Sequence, residues 1–258
     1  MRTTTTKENK VEDDLSNELK MIAESQNTAL LTVGKAATEN KEWIKFAQYC
    51  FDREKGLRKQ AFGHLDEFLK STESWTEEEK IEFVTFLLPF FEVDSYALFP
   101  QHLNVPQPLS EKLIKPTLEK WCLKEMTDSK PFRWYGRYYH NNGYINRALE
   151  INSHDDKARQ VLLSWGINGL WYSVHHLPEV YIGNEKEDLV FIDELQNHIS
   201  KLSDVELQRN WTNIVEQYAE LVRNYAEWKE SGHLDLEKWG EENHKRVSSG
   251  VGTYYYEK

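Results

Sequence analysis

The run Phe132-Arg133-Trp134-Tyr135-Gly136-Arg137-Tyr138-Tyr139-His140-Asn141-Asn142-Gly143-Tyr144-Ile145-Asn146-Arg147-Ala148 carries the strongest architectural signal in the chain. Arg133 and Arg137 stand four apart, as do Trp134 and Tyr138, the spacing of residues that share a helical face. The stretch is expected to form two short antiparallel helices meeting at Gly143, stacked among similar helices to leave a groove.

The same period recurs on both sides. Val11, Leu15, Leu19 and Ile22 step by four, four and three, and Trp43, Phe46, Ala47 and Cys50 repeat the pattern. Leu57, Ala61, Leu65, Phe68 and Leu69 follow Gly56, a natural helix stop. Thr76 and Glu79 form a capping box before an apolar helix expected over roughly 77–88 and buried on several sides. Pro89, Pro100, Pro106 and Pro108 deny a regular helix to 89–109, which is expected to be a packed crossing. Helix resumes near Ser110, with Pro116 opening a new first turn or kinking one helix. Leu189, Ile192, Leu195, Ile199 and Leu202 make one stripe. Ser203 and Glu206 suggest a second capping box ahead of Leu207, Trp211, Ile214, Tyr218, Leu221, Tyr225 and Trp228. That 3.5-residue seam is expected to pack inside a monomer rather than in a coiled-coil dimer. Gly232 ends it, and a short helix around Leu236 and Trp239 precedes the tail. No alternating β-branched run is closed by a hairpin turn. The fold class is all-α, expected as layered antiparallel helical hairpins of an irregular α–α superhelix, with no sheet.

Composition narrows the function. The 258 residues include 9 Trp, 13 Tyr and 11 Phe and carry a net charge of −11. So many rings demand burial, which excludes intrinsic disorder. The longest apolar run, Phe86–Phe91, is broken by Pro89 and is far short of the roughly 20 residues needed to cross a bilayer. The acidic balance argues against a nucleic-acid partner, and no membrane partner is expected. No linker rich in Gly and Ser appears, so residues 1–258 are expected to form one domain, with 1–10 and 247–258 flexible. The start lacks the apolar core of a secretory signal, which points to the cytoplasm. Cys50 and Cys122 have no metal-site or redox spacing and are expected to be buried thiols.

The stretch from Pro131 to Asp156 resembles a tetratricopeptide repeat, a helix–turn–helix unit. Phe132 stands at the leading aromatic, Tyr135-Gly136 at the Leu-Gly pair, Tyr139 at the following Tyr and Gly143 at the turn. Ile145 and Ala148 take the next signature sites. Beyond Ala148 the register departs, since Asn152 and Asp155 occupy positions that are apolar in the family. The resemblance implies a helical hairpin whose small residues, Gly136 and Ala148, let paired helices approach closely. It also implies use in protein or peptide binding.

Two clusters carry candidate chemistry. Between Ser129 and Leu149 there are four basic residues and no acidic one. Arg133 and Arg137 share a helical face, Trp134 and Tyr138 the neighbouring one, and His140 follows. Such a surface suits a carboxylate or phosphate with aromatic stacking beside it. The competing reading pairs the arginines with acids of an adjacent helix while the rings fill core. The second cluster, His175, His176, Glu179 and Tyr181, gathers at a helix end. Adjacent histidines diverge by about 100° on a helix, so no shared metal is expected. No cofactor is expected either, because phosphate-loop, nucleophile-elbow and dinucleotide motifs are missing. Two acidic stretches, 71–99 and 184–230, balance the basic island. The favoured function is an interaction scaffold or sequestering protein for a protein or peptide partner, for instance an inhibitor of a basic protein. The alternative is an enzyme or small-anion binder, in which the arginines and histidines converge on one pocket.

Overall fold

In the computed structural model, which describes residues 30–92 and 105–249, the elements are helices of α, 3-10 and π type, and the described residues contain no strand. The chain is all-α. The helix expected around Val11–Ile22, the part of the crossing over 93–104 and the tail beyond 249 lie outside the described residues. No described helix is long and apolar enough to cross a membrane. The chain's contacts divide it into two compact units. One holds the described residues 30–92 and 105–124, the other 125–249.

The first unit begins with helical residues 30–37 (α1) and a 3-10 turn, Lys41–Trp43, capped by the Asn40 side chain. Helices α2 (Ile44–Glu54) and α3 (Arg58–Ser71) pack along each other, joined through Gly56 at φ +73°. Helix α4 (Glu77–Leu87) opens with the expected capping box: Thr76 Oγ1 accepts from Glu79 N, and Glu79 Oε2 accepts from Thr76 N. It tightens into a 3-10 turn at Leu88–Phe91, where Pro89 removes a donor. Helix α5 runs from Gln107–Leu109 through a π turn, Ser110–Ile114, into Lys115–Lys124. The missing N–H of Pro116 falls at that join, so the helix continues past a local distortion rather than ending. Phe46, Phe68 and Phe83 form the centre of this core, with centroids 4.9–5.5 Å apart. All three are buried, at about 1.5–3 kcal/mol per large apolar side chain.

The second unit holds α6 (Lys130–Tyr138), α7 (Asn142–Ile151), α8 (Asp156–Val174), α9 (Glu185–Ile199), α10 (Val205–Ser231) and α11 (Leu236–Asn243). The helix break expected at Gly143 comes slightly earlier. His140 turns the chain at φ 49°, Asn141 caps α7, and Gly143 lies inside that helix. Gly136 lets α6 meet α7: a Cβ there would fall 2.7 Å from the Ile145 side chain and 2.9 Å from its backbone nitrogen. Ala148 is fully buried.

Helix α9 returns along α8, with Gly166 against Leu195 and Arg159 against His198. Helix α10 returns along α9, pairing Lys229 with Glu185 and stacking Tyr225 on Tyr181. The seam of α10 packs in this core through Trp211 and Leu221, with Leu207, Ile214, Tyr218, Tyr225 and Trp228 partly buried against it. Val215, Ala219 and Val222 widen the stripe beyond the seam read from sequence. Capping differs from expectation at 203–206. Asp204 accepts from Glu206 N and Leu207 N, while Ser203 is turned to the Asp156 carboxylate. Val247 packs over Gly240, and Ser249 Oγ donates to His175 O.

Candidate functional site

The basic island is built into the junction of α6 and α8. Arg133 is buried, and its NH1 donates to Asp155 Oδ2 at 2.6 Å. The same carboxylate accepts from Ser129 Oγ at 2.8 Å and caps α8 through Ala158 N at 3.1 Å. For Arg133 the acidic-partner reading of the sequence describes the geometry. Its guanidinium also lies 5.9 Å from the ring of Trp134, which is core. Arg137 and Tyr138 are half-buried, and His140 is exposed with its ring 5.6 Å from Trp165.

The second cluster lies at the other end of α8. His175 is the C-cap residue, stacked on Trp171 at 4.4 Å and lying 4.1 Å from the His176 ring. Its Nδ1 donates to the Tyr172 carbonyl at 2.8 Å, which fixes the proton on Nδ1 because a carbonyl only accepts. Glu179 is exposed. Tyr181 is buried, stacked on Tyr225 at 4.4 Å, and donates its hydroxyl to Asp188. Burial first, and the Asp188 carboxylate second, push the Tyr181 phenol far above its usual range. That leaves it a structural donor.

Arg133 and the histidine pair therefore do not converge. Asp155 caps the start of α8 and His175 its end, roughly 30 Å apart at 1.5 Å per residue. Arg133 and the two histidines thus share no pocket of the kind the alternative reading requires. Among the described residues, no three His, Cys, Asp or Glu side chains are placed to hold a metal ion.

A depression of about 470 Å³ does open beside Arg133, with Lys130, His154 and Lys157 on its rim. Its carboxylates are engaged internally: Asp155 as above, Asp156 by Ser203, and Asp128 by the N–H of Lys130. Just before it, Glu125 collects the N–H groups of Thr127, Asp128 and Met126. The Thr127 N–H leads in holding its carboxyl down to about 2.

Asp155 was missed at the sequence level because nothing local links it to Arg133, 22 positions away. Arg159 was missed for the same reason. It is buried, bonded to Ser153 O and His198 Nδ1, with Nε unpartnered. Compared with protein-family models, with curated proteins and with solved structures, the chain matches none.

Proposed function

We propose that this chain is an α-helical binding protein that holds a protein or peptide partner on an exposed face of its second unit. One observation carries the reading. Tyr172, Val180 and Ile182 are 57, 51 and 38 % exposed, and the bond from Ile182 N to Ser173 O holds the 180–182 segment beside the end of α8. Clustered exposed apolar side chains mark interaction sites. Glu179 and Glu187, both exposed nearby in sequence, add negative charge, which suits a partner segment with apolar and basic residues. That fits sequestration or inhibition of a basic protein.

The groups an enzyme would use are spent on the fold: Arg133 in its ion pair, Tyr181 in a stack, His175 against Trp171. The reversal of each helix from α8 to α10 on the one before supports a layered-hairpin scaffold. The likeness of α6–α7 to a tetratricopeptide hairpin supports the same use. Packing of the α10 seam within its own unit favours a monomer, and two buried thiols suit a reducing cytoplasm.

Affinity capture from its own cells with the full chain at low salt tests this. The expected result is a partner that is retained by the natural chain and lost by a Tyr172→Ser/Val180→Ser variant of unchanged circular dichroism. A partner held equally by both chains, or none captured, overturns the proposal.

A further inference from the structure

The first unit carries a second surface, of opposite charge. Helix α2 ends at Gly56, and α3 opens with Arg58 and Lys59. With Arg53 and Lys55, four cations crowd seven positions of a chain whose net charge is −11. Two acids stand among or beside them. Asp52 faces His64 at 3.5 Å, and Glu54 has Oε2 buried without a partner. Among the described residues, Arg53, Lys55, Arg58 and Lys59 make no ion pair.

The two guanidinium groups share the Phe62 ring instead. Arg53 Cζ lies 6.0 Å and Arg58 Cζ 5.7 Å from its centroid, with Tyr49 edge-on to the same ring at 6.0 Å. Contact with a ring face positions a guanidinium without using its N–H donors. Arg53 is further tied by a side-chain hydrogen bond to Tyr49, and its Nε is buried. Lys55, Arg58 and Lys59 are exposed, and Leu57 between them is 43 % exposed.

Left alone, this arrangement opposes folding. Arg53 and Lys55 lie at the negative end of the α2 dipole and are favoured there, but Arg58 and Lys59 in the first turn of α3 face the positive end of its dipole and the two α2 cations close by. Exposed cations without ion pairs, two of them held at such a cost, are ones that bound oxyanions would stabilise. We infer that the α2–α3 turn is a docking surface for a short acidic segment of a partner protein, its carboxylate or phosphate oxygens set on Lys55, Arg58 and Lys59, with an apolar residue on Leu57. A short segment fits better than a long polyanion. The exposed Asp66 stands about 12 Å further along α3 and repels an extended negative charge. This surface belongs to the first unit and the apolar patch at the end of α8 to the second, and either reading can fail without the other.

Fluorescence anisotropy with the full chain and three labelled decapeptides on one Gly/Ser scaffold tests the inference. One peptide carries Glu residues, one phosphoserines and one Gln at the same positions. At low salt the anionic peptides are expected to bind and the Gln peptide not, the tighter of the two identifying the oxyanion source. Arg58→Gln/Lys59→Gln is expected to weaken binding about tenfold and to raise Tm, because the repulsion is removed. Phe62→Leu weakens binding with no change in charge, and Lys41→Gln leaves it as it was. The inference is overturned if neither anionic peptide binds, if the Gln peptide binds equally, if Arg58→Gln/Lys59→Gln binds as the natural chain does, or if duplex DNA binds more tightly than either peptide.

Discussion

Arg133 and Asp155 meet at 2.6 Å with side chains only 9 and 4 % exposed, and they fasten the first turn of α6 to the first turn of α8. One carboxylate thus serves an ion pair, a hydroxyl and a helix cap. The pair sits where the chain changes direction between α7 and α8, so the angle of α8 depends on it.

Breaking the pair from one side leaves a buried charge without its partner. Arg133→Gln is expected to cost about 3–5 kcal/mol in urea denaturation. The double variant Arg133→Met/Asp155→Ser keeps a capping oxygen and removes both charges, and is expected to lose clearly less than the sum of the two single changes. Additive losses would mean the pair is not coupled.

Gly136→Ala separates helix propensity from packing. In isolation an alanine favours the helix by about 1 kcal/mol. Here its Cβ would press on the Ile145 backbone nitrogen, which no rotamer change relieves. A net loss of about 1–3 kcal/mol is expected, and Ile145→Ala in the same chain should recover only part of it. A rise in Tm for Gly136→Ala would contradict the close approach of α6 and α7.

The His198 pKa is lowered from 6.5, first by burial and then by the Arg159 guanidinium and Lys201, with Glu194 opposing. Arg159 NH1 lies 3.5 Å from Nδ1, an approach suited to a neutral ring. Because the unfolded chain takes up the proton more readily, this contribution is complete above about pH 6.5 and is lost as pH falls through the lowered value. His198→Gln, which keeps an acceptor toward Arg159, is expected to flatten the decline of Tm below about pH 6.5. An unchanged profile would remove His198 from the account.

Both thiols are shielded. Burial pushes Cys50 and Cys122 up to about 12, so neither forms a thiolate at neutral pH. Iodoacetamide at about pH 8 is expected to modify neither in the folded chain and both after unfolding, as read by mass spectrometry. Labelling of Cys122 in native conditions would show that α5 opens locally.

Much of the helical framework was legible because its signals are local. The Thr76–Glu79 box, Gly56 and Gly232 with positive φ, and the stripe of α9 depend on neighbours within one or two turns. Legibility failed where two local solutions compete. Ser203 and Asp204 both suit a cap, and Asp204 takes the role because Asp156 of α8 claims Ser203. Asn152 and Asp155, departures from the repeat pattern, are polar because α7 ends at Ile151 and the next helix needs a cap. Leu57 reads as the first member of an apolar stripe, yet it is exposed at the turn. The cations around it form a patch only once α2 and α3 fold back on Phe62.

The amino-acid order alone determined that this chain is helical and roughly where its helices start and stop, because apolar period, capping and glycine conformation act within a few residues. Tertiary packing decided which charges are buried and which face water. Arg133 and Arg58 look alike in sequence. One finds a carboxylate 22 positions away and closes the core; the other finds a ring and stays exposed. That difference depends on which helices come together, a property of the folded chain that no spacing along it encodes.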